Sequence, residues 1–130
     1  MLRKAKISTK LFPKKKVRKY EEEHEQTKVC VYLAKRGLPY FCIPNGGKRG
    51  MFEAMRLKRS GVMAGIPDLM IPIACGKWHG LFLEMKKEKG GVVSEAQKYW
   101  IGILREQNYK VEVCHGADHA INEIAHYFSL

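Results

Sequence analysis

Hydrophobic and polar residues recur at helical spacing in four segments of the chain, which predicts four α-helices. In the first segment, Val29 and Leu33 belong to an apolar stripe, acidic residues crowd the first turn, and Gly37 ends the helix. In the third, Ser94 and Gln97 have the spacing of a capping box. The predicted helices cover residues 20–36, 51–60, 94–107 and 117–128.

Four shorter apolar segments predict β-strands. The second and third are joined by a loop rich in small and polar residues, so they should form an antiparallel hairpin. The predicted order of elements is therefore αβαββαβα. A central hairpin among helices indicates an α/β fold with a mixed sheet flanked by helices. The predicted strands cover residues 39–44, 69–73, 81–85 and 109–114.

Composition limits the chain to one domain of an intracellular type. With 130 residues, 45% of them hydrophobic, it can bury one core. It has no run of about 18 uncharged apolar residues and no secretory signal, so we expect neither a membrane span nor export. The four cysteines form no CxxC pair and are expected to be reduced core residues. Zinc binding by Cys114, His115 and His119 is the alternative, but their spacing matches no standard zinc motif.

The net charge of +11 is concentrated at the start of the chain. Residues 1–19 contain nine Lys or Arg and no acid, whereas the remaining 15 basic and 13 acidic residues nearly balance. This predicts a flexible basic arm over residues 1–19, able to bind polyphosphate, before a domain over residues 20–130. The alternatives are a solvated tail that aids solubility or, in a eukaryotic protein, a nuclear-localisation signal at residues 13–19.

Two further segments suggest contacts with a nucleic-acid backbone. The loop over residues 45–50 contains three glycines and Lys48, and glycines allow close approach to phosphate. Arg49, Arg56 and Arg59 follow at spacings that place them on roughly one side of the second helix. An ordinary turn and a solvated helix face explain the same residues equally well.

The predicted hairpin brings together the residues most suited to catalysis. Side chains alternate along a strand, so Phe82, Glu84 and Lys86 share one face. Asp68 begins the preceding strand, and the hairpin register places it opposite or diagonal to Glu84, roughly 5 Å away. Two carboxylates this close can hold a divalent cation such as Mg²⁺ or Mn²⁺, while Lys86 orients a water molecule or helps to deprotonate it. The alternative is a Glu84–Lys86 salt bridge, with Asp68 capping a turn after Pro67.

The sequence resembles the PD-(D/E)XK nucleases and, within them, the virus-type replication-repair nuclease (VRR-NUC) domain. The resemblance extends over residues 21–130. It rests on three segments that match, in order and spacing, the family's glycine-Pro-Asp, Glu-x-Lys and Gln-x-x-Trp motifs. These segments are Gly61-Val-Met-Ala-Gly-Ile-Pro-Asp68, Phe82-Leu-Glu-Met-Lys86 and Gly90-Gly-Val-Val-Ser-Glu-Ala-Gln-Lys-Tyr-Trp100.

The resemblance implies a restriction-endonuclease-like core in which Asp68, Glu84 and the backbone carbonyl of Met85 hold the cation. It also implies that Lys86 acts at the attacking water. The family supplies one glutamate from the first helix, and Glu22 is favoured here because it lies four residues before Gln26, above the apolar stripe. The other candidates are Glu21, Glu23 and Glu25. Gln97 is expected either to contact the site or only to complete the capping box.

The resemblance also implies a substrate and an assembly. Stand-alone members resemble homodimeric Holliday-junction resolvases, and at this length we expect a stand-alone, phage-encoded enzyme acting in the host cytoplasm. Symmetric incision of a four-way junction requires two sites related by a two-fold axis. The expected products carry 5′-phosphate and 3′-hydroxyl ends. The alternatives are a flap nuclease, a nonspecific duplex nuclease and a non-catalytic DNA-binding module.

Overall fold

The computed structural model describes the backbone of residues 14–44 and 50–129, and side chains from residue 21 onward within these ranges. The order of elements is αβαββαβα, as predicted. The helices are α1 (Lys14–Lys35), α2 (Met51–Arg59), α3 (Glu95–Glu106) and α4 (Ala117–Phe128). The strands are β1 (Phe41–Cys42), β2 (Leu69–Ile71), β3 (Leu81–Lys86) and β4 (Lys110–His115).

The strands form one mixed sheet in the order β1-β2-β3-β4. The predicted hairpin is present, because β2 pairs antiparallel with β3 and Leu69 lies across from Leu83. β1 extends the antiparallel part, whereas β4 runs parallel to β3 and pairs Lys86 with His115. A parallel pair needs a crossover connection, and α3 provides it. The α/β prediction of a mixed sheet flanked by helices is therefore confirmed.

The main core lies between one face of the sheet and the pair α1 and α4. Leu81, Leu83 and Met85 point into it from β3, together with Val29 and Leu33 from the predicted stripe of α1. α3 packs on β4, and Gln97 of α3 contacts Glu84 and Lys86 on the other face of β3. Apolar side chains thus fill one face of β3, while its charged side chains lie under α3. No helix among the described residues is long and apolar enough to span a membrane.

The first helix begins earlier than predicted, at Lys14 rather than Tyr20. The sequence between these residues contains no glycine or proline, and lysine and arginine are good helix formers. As a result, the first turn holds no acidic residue, which corrects the interpretation of the glutamates as its acidic cap. The last six residues of the predicted flexible arm belong to this helix, and residues 1–13 lie outside the described part of the chain.

The second strand is shorter than predicted, because it ends at Ile71 and Pro72 follows. Proline has no backbone N–H to donate to a neighbouring strand, so regular pairing stops there. The connection to β3 closes further along, where Cys75 and Trp78 exchange backbone hydrogen bonds of 3.0 Å. This compact turn keeps the paired ends of β2 and β3 in register.

The start of α3 is fixed on two sides. Ser94 and Gln97 form the predicted capping box, in which the Ser94 hydroxyl accepts from the Gln97 amide N–H at 3.2 Å. Gly65 lies directly against this turn, since a Cβ added to it would stand 2.5 Å from the carbonyl carbon of Ala96. Its φ of +91° also favours glycine. The loop before β2 therefore packs closely against the turn that carries Gln97.

Candidate active site

Asp68 and Glu84 face one another at the end of the β2–β3 hairpin. Leu69 pairs with Leu83, and continuing this register by one residue places Asp68 across from Glu84. Asp68 Oδ2 accepts a hydrogen bond of 2.8 Å from the backbone N–H of Met85. This bond fixes the Asp68 carboxylate beside β3, so Asp68 is not merely a cap for a turn after Pro67.

Glu84 and Lys86 are the buried charged residues of the described chain, with 3% and 7% exposure. Lys86 Nζ lies 3.6 Å from Glu84 Oε1, so the salt bridge considered from the sequence is present. The ion pair does not account for the whole carboxylate, however. Glu84 Oε2 is buried and has no hydrogen-bond partner in the described structure. An unpartnered carboxylate oxygen is costly to bury and is a suitable ligand for a hard cation.

Gln97 connects the two charged residues to α3. Its Nε2 donates to Glu84 Oε1 at 2.7 Å, and its Oε1 accepts from Lys86 Nζ at 3.1 Å. The same Oε1 accepts from the backbone N–H of Ser94 at 2.8 Å. Gln97 therefore both completes the capping box and contacts the catalytic candidates, although the sequence had left these two roles as alternatives.

The electrostatics of the site disfavour two ionised carboxylates side by side. The pKa of Glu84 is raised to about 8, chiefly by burial and then by the Asp68 charge, against the opposing effect of Lys86. Burial also raises the pKa of Asp68, against the opposing effects of the Met85 N–H and Lys86. A bound cation would favour the charged form of both groups.

Glu22 and Glu25 of α1 have different surroundings. Glu22 is close enough for its charge to raise the pKa of both Asp68 and Glu84. Glu25 Oε2 instead accepts from the backbone N–H of Ala117 at 2.7 Å, and this bond is the main reason that the pKa of Glu25 is lowered. Glu25 thus caps the N-terminus of α4, where α-helices favour a negative charge.

The donor set is compatible with a magnesium or manganese ion. Asp68, Glu84 and the backbone at Met85 adjoin one another, and Glu84 Oε2 is available as a ligand. Within residues 21–44 and 50–129, no three His, Cys, Asp or Glu side chains are grouped closely enough to form a metal site by themselves. Backbone, water or phosphate oxygens would therefore complete the coordination of a cation, as is usual for Mg²⁺.

The residues considered for zinc have other surroundings. Cys114 is fully buried in the core between the sheet and the helices α1 and α4. His119 Nδ1 accepts from the backbone N–H of His115 at 3.0 Å, so that ring nitrogen is already occupied. This arrangement agrees with the interpretation of Cys114 as a core residue.

The candidate DNA-binding residues are described only in part. Arg56 and Arg59 lie on α2 and line one surface concavity together, as their spacing had suggested. Lys48 and Arg49 lie outside the described residues, as does most of the glycine-containing loop.

The fold is that of a nuclease domain, and the model of the "VRR-NUC domain" family matches residues 15–118. The chain belongs to the VRR-NUC family. This confirms the resemblance recognised in the three sequence motifs.

Two known proteins show the same relationship. The "Fanconi-associated nuclease 1 homolog" of Schizosaccharomyces pombe is 33% identical over 106 residues, which are 77% of this chain and 15% of that protein. The chain therefore spans a small part of that relative. A solved structure, "VRR_NUC domain protein", superposes with a TM-score of 0.69 at 34% identity, covering 85% of this chain and 89% of the other.

The sequence pattern did not predict two features of the structure. The close approach of Gly65 to the start of α3 was not inferred, although Gly65 stands in the glycine-Pro-Asp segment that carries the resemblance. The second feature is the exposed apolar surface of α2, where Phe52 and Met55 accompany the arginines. The signal was present, since both residues share the three- and four-residue spacing of Arg56 and Arg59.

Proposed function

We propose that the chain is a metal-dependent DNA endonuclease that hydrolyses phosphodiester bonds in branched DNA, with four-way junctions as the preferred substrate. The unpartnered, buried Oε2 of Glu84, beside Asp68 and Lys86, is the observation that carries this proposal. A bound cation stabilises a buried carboxylate oxygen that has no other partner, and a hard cation beside a lysine is suited to phosphodiester hydrolysis.

Asp68, Glu84 and the Met85 carbonyl would hold Mg²⁺ or Mn²⁺. The bound ion would supply Lewis acidity to the phosphate and a lowered pKa to a coordinated water. Glu22 adds negative charge nearby and would favour cation binding or orient a water molecule.

Lys86 is the group of this chain that would act at the attacking water and at the charge developing on the phosphate. Its ammonium is held by Gln97 Oε1 at 3.1 Å and lies 3.6 Å from Glu84 Oε1, so little rotational freedom remains. A buried, preorganised positive charge stabilises a transition state more strongly than an exposed one. Gln97 is a positioning residue, because it binds both Glu84 and Lys86 through one amide.

Symmetric cutting of a four-way junction requires two such sites, so the proposal includes a homodimer. Membership of a nuclease family and the excess of positive charge support a DNA substrate. The proposal places the break at the bond between phosphorus and O3′, so that O3′ leaves as the 3′-hydroxyl and the phosphate remains on the 5′ end.

The test compares a four-way junction, a flap and a linear duplex of the same sequence under one manganese condition. The proposal expects cutting of the junction and a loss of at least about a hundredfold in Asp68→Asn and Lys86→Ala. Both variants should retain the circular dichroism of the parent protein. Equal cutting of all three substrates would contradict the preference for branched DNA and indicate a nonspecific nuclease. Undiminished cutting by both variants would contradict the assignment of Asp68 and Lys86 to the active site.

A non-catalytic DNA-binding module remains the contrasting hypothesis from another class. It predicts salt-dependent DNA binding without cleavage in Mg²⁺ or Mn²⁺. The same experiment distinguishes it, provided that binding is measured alongside cutting.

A further inference from the structure

α2 presents an apolar surface that residues 14–44 and 50–129 leave exposed. None of its nine residues is buried, and Phe52 and Met51 are 86% and 72% exposed. A helix this short is marginal in water without packing against something else. A large aromatic side chain left almost fully in solvent on such a helix is suited to binding a partner.

The apolar and basic residues of α2 form one combined surface. Phe52, Met55, Arg56 and Arg59 recur at helical spacing and together line a surface concavity, which we call the α2 groove. Among the described residues, Ser60 also lines the groove and no acidic residue does. Glu53, the acidic residue of α2, is not part of it.

The charge of the α2 groove decides between its possible occupants. A second copy of the chain, docked by the same face, would bring two Arg56 and two Arg59 side chains together without an acid to offset them. A polyphosphate backbone supplies the missing negative charge. Aromatic side chains with flanking arginines are the combination that binds unpaired bases by stacking, while the arginines bind phosphate.

We propose that the α2 groove binds the exposed bases at a DNA branch point, with Phe52 stacking on a base and Arg56 and Arg59 binding the adjoining phosphates. The inference rests on the proposed function, since it assigns the recognition of branched DNA to a surface outside the catalytic site. Duplex DNA keeps its bases stacked internally, so Phe52 contributes only where the stack is interrupted. Phe52 is therefore the determinant of branch preference, and the arginines are determinants of general affinity.

The experiment measures binding rather than cutting, in Ca²⁺, with a fluorescein-labelled four-way junction and a linear duplex of the same length. Phe52→Ala should weaken junction binding about tenfold and leave duplex binding nearly unchanged. Phe52→Trp should retain the junction preference, because indole stacks as well as phenyl does. Arg56→Ala should weaken binding of the junction and of the duplex alike. It should also reduce the slope of log affinity against log salt concentration by about one.

Tyr99→Ala is the matched control, since Tyr99 is an aromatic residue of α3 that is 64% exposed and lies outside the α2 groove. It should bind both substrates as the parent does. A 2-aminopurine base at the branch point gives a second readout, because its fluorescence should change on binding the parent protein and much less on binding Phe52→Ala.

The outcomes separate this inference from the proposed function. If the parent protein prefers the junction and Phe52→Ala abolishes that preference, the inference holds even where no cutting is seen. Equal loss on both substrates, or none, overturns it. If Phe52→Ala has a lower molar mass than the parent protein in light scattering, the α2 groove is an interface between two copies of the chain. A fall of several degrees in its Tm without DNA would assign Phe52 to packing within the chain. Either result overturns the inference.

Discussion

The side-chain amide of Gln97 donates to Glu84 Oε1 across 2.7 Å and so joins the third helix to the charged strand of the sheet. The carbonyl of the same amide accepts from Lys86 and from the Ser94 backbone. One residue thus serves both the local stability of α3 and the orientation of the two groups proposed for catalysis. These two contributions can be separated by mutation.

Gln97→Ala should lower the cleavage rate by about 10- to 100-fold, because Glu84 and Lys86 lose their shared partner. Ser94→Ala is the control. It removes the hydroxyl that caps α3 and should cost about 1 kcal/mol of stability while leaving the contacts of Gln97 with Glu84 and Lys86 in place. Urea denaturation and initial cleavage rates measure the two effects. Similar activity losses in both variants would mean that Gln97 acts only through helix stability.

Glu22→Gln and Glu25→Gln should affect different properties. Glu25 caps α4 through the Ala117 N–H, so Glu25→Gln should destabilise the fold by about 0.5–2 kcal/mol and leave cleavage largely intact below the melting range. Glu22→Gln should preserve stability and weaken cleavage or its manganese dependence. The comparison requires thermal unfolding and a manganese titration of activity for each variant. The opposite pattern would transfer the catalytic role to Glu25.

The metal-free protein should lose stability as the pH rises from about 5 to about 8. The pKa of Glu84 is raised from 4.5 to about 8 in the fold, chiefly by burial, so the folded state binds more protons than the unfolded chain across this range. The stabilisation is present below the unfolded pKa and is lost as the pH passes through the folded one. Asp68, whose pKa is also raised, contributes in the same direction.

Thermal unfolding in EDTA at several pH values measures this effect. Glu84→Gln should show a flatter profile than the parent and a higher Tm at pH 8, because no charge has to be buried. Adding Mn²⁺ at pH 8 should raise the Tm of the parent but much less that of Glu84→Gln. A parent profile that rises with pH in EDTA would contradict the assignment of Glu84 as a destabilising buried carboxylate.

Gly65→Ala should be more damaging than Gly61→Ala. Both glycines have a positive φ, of +91° and +101°, so each substitution strains the backbone by about 1 kcal/mol or more. Only at Gly65 would the new Cβ also collide, 2.5 Å from the Ala96 carbonyl carbon, whereas nothing lies within 4 Å of it at Gly61. Gly65→Ala should therefore unfold at lower urea and show slower cleavage, since α3 is displaced. Equal stability of the two variants would rule out this packing role.

Helical and strand periodicity predicted the order of elements because burial sets the spacing of apolar residues in both structures. Alternation along β3 also predicted correctly that Glu84 and Lys86 share a face, since Leu83 and Met85 occupy the opposite one. The contact between Gln97 and Glu84 could not be obtained in this way. The contact depends on where α3 lies over the sheet. Residues that fix this position, such as Gly65, do not belong to any repeating pattern of apolar residues.

Charge composition was a poor guide to the start of the first helix. Clustered basic residues before Tyr20 suggested a flexible arm, but lysine itself favours helix, and the sequence between Lys14 and Tyr20 contains no residue that would end one. Charge composition also did not reveal that Glu25 caps α4 whereas Glu22 lies near Asp68 and Glu84. That division follows from the position of α4, whose first residue, Ala117, lies far along the chain from Glu25.

The parallel pairing of β3 with β4 has a consequence for the moment at which the enzyme could first become active. During synthesis, a ribosome-bound chain could form the β2–β3 hairpin early, but β3 remains an open edge until residues 110–115 have emerged. Gln97 lies in the crossover helix α3, which packs on β4, so we expect its contact with Glu84 to form only when that last strand has docked. A polypeptide terminated before this strand would thus carry Glu22, Asp68 and Glu84 and still lack an assembled site.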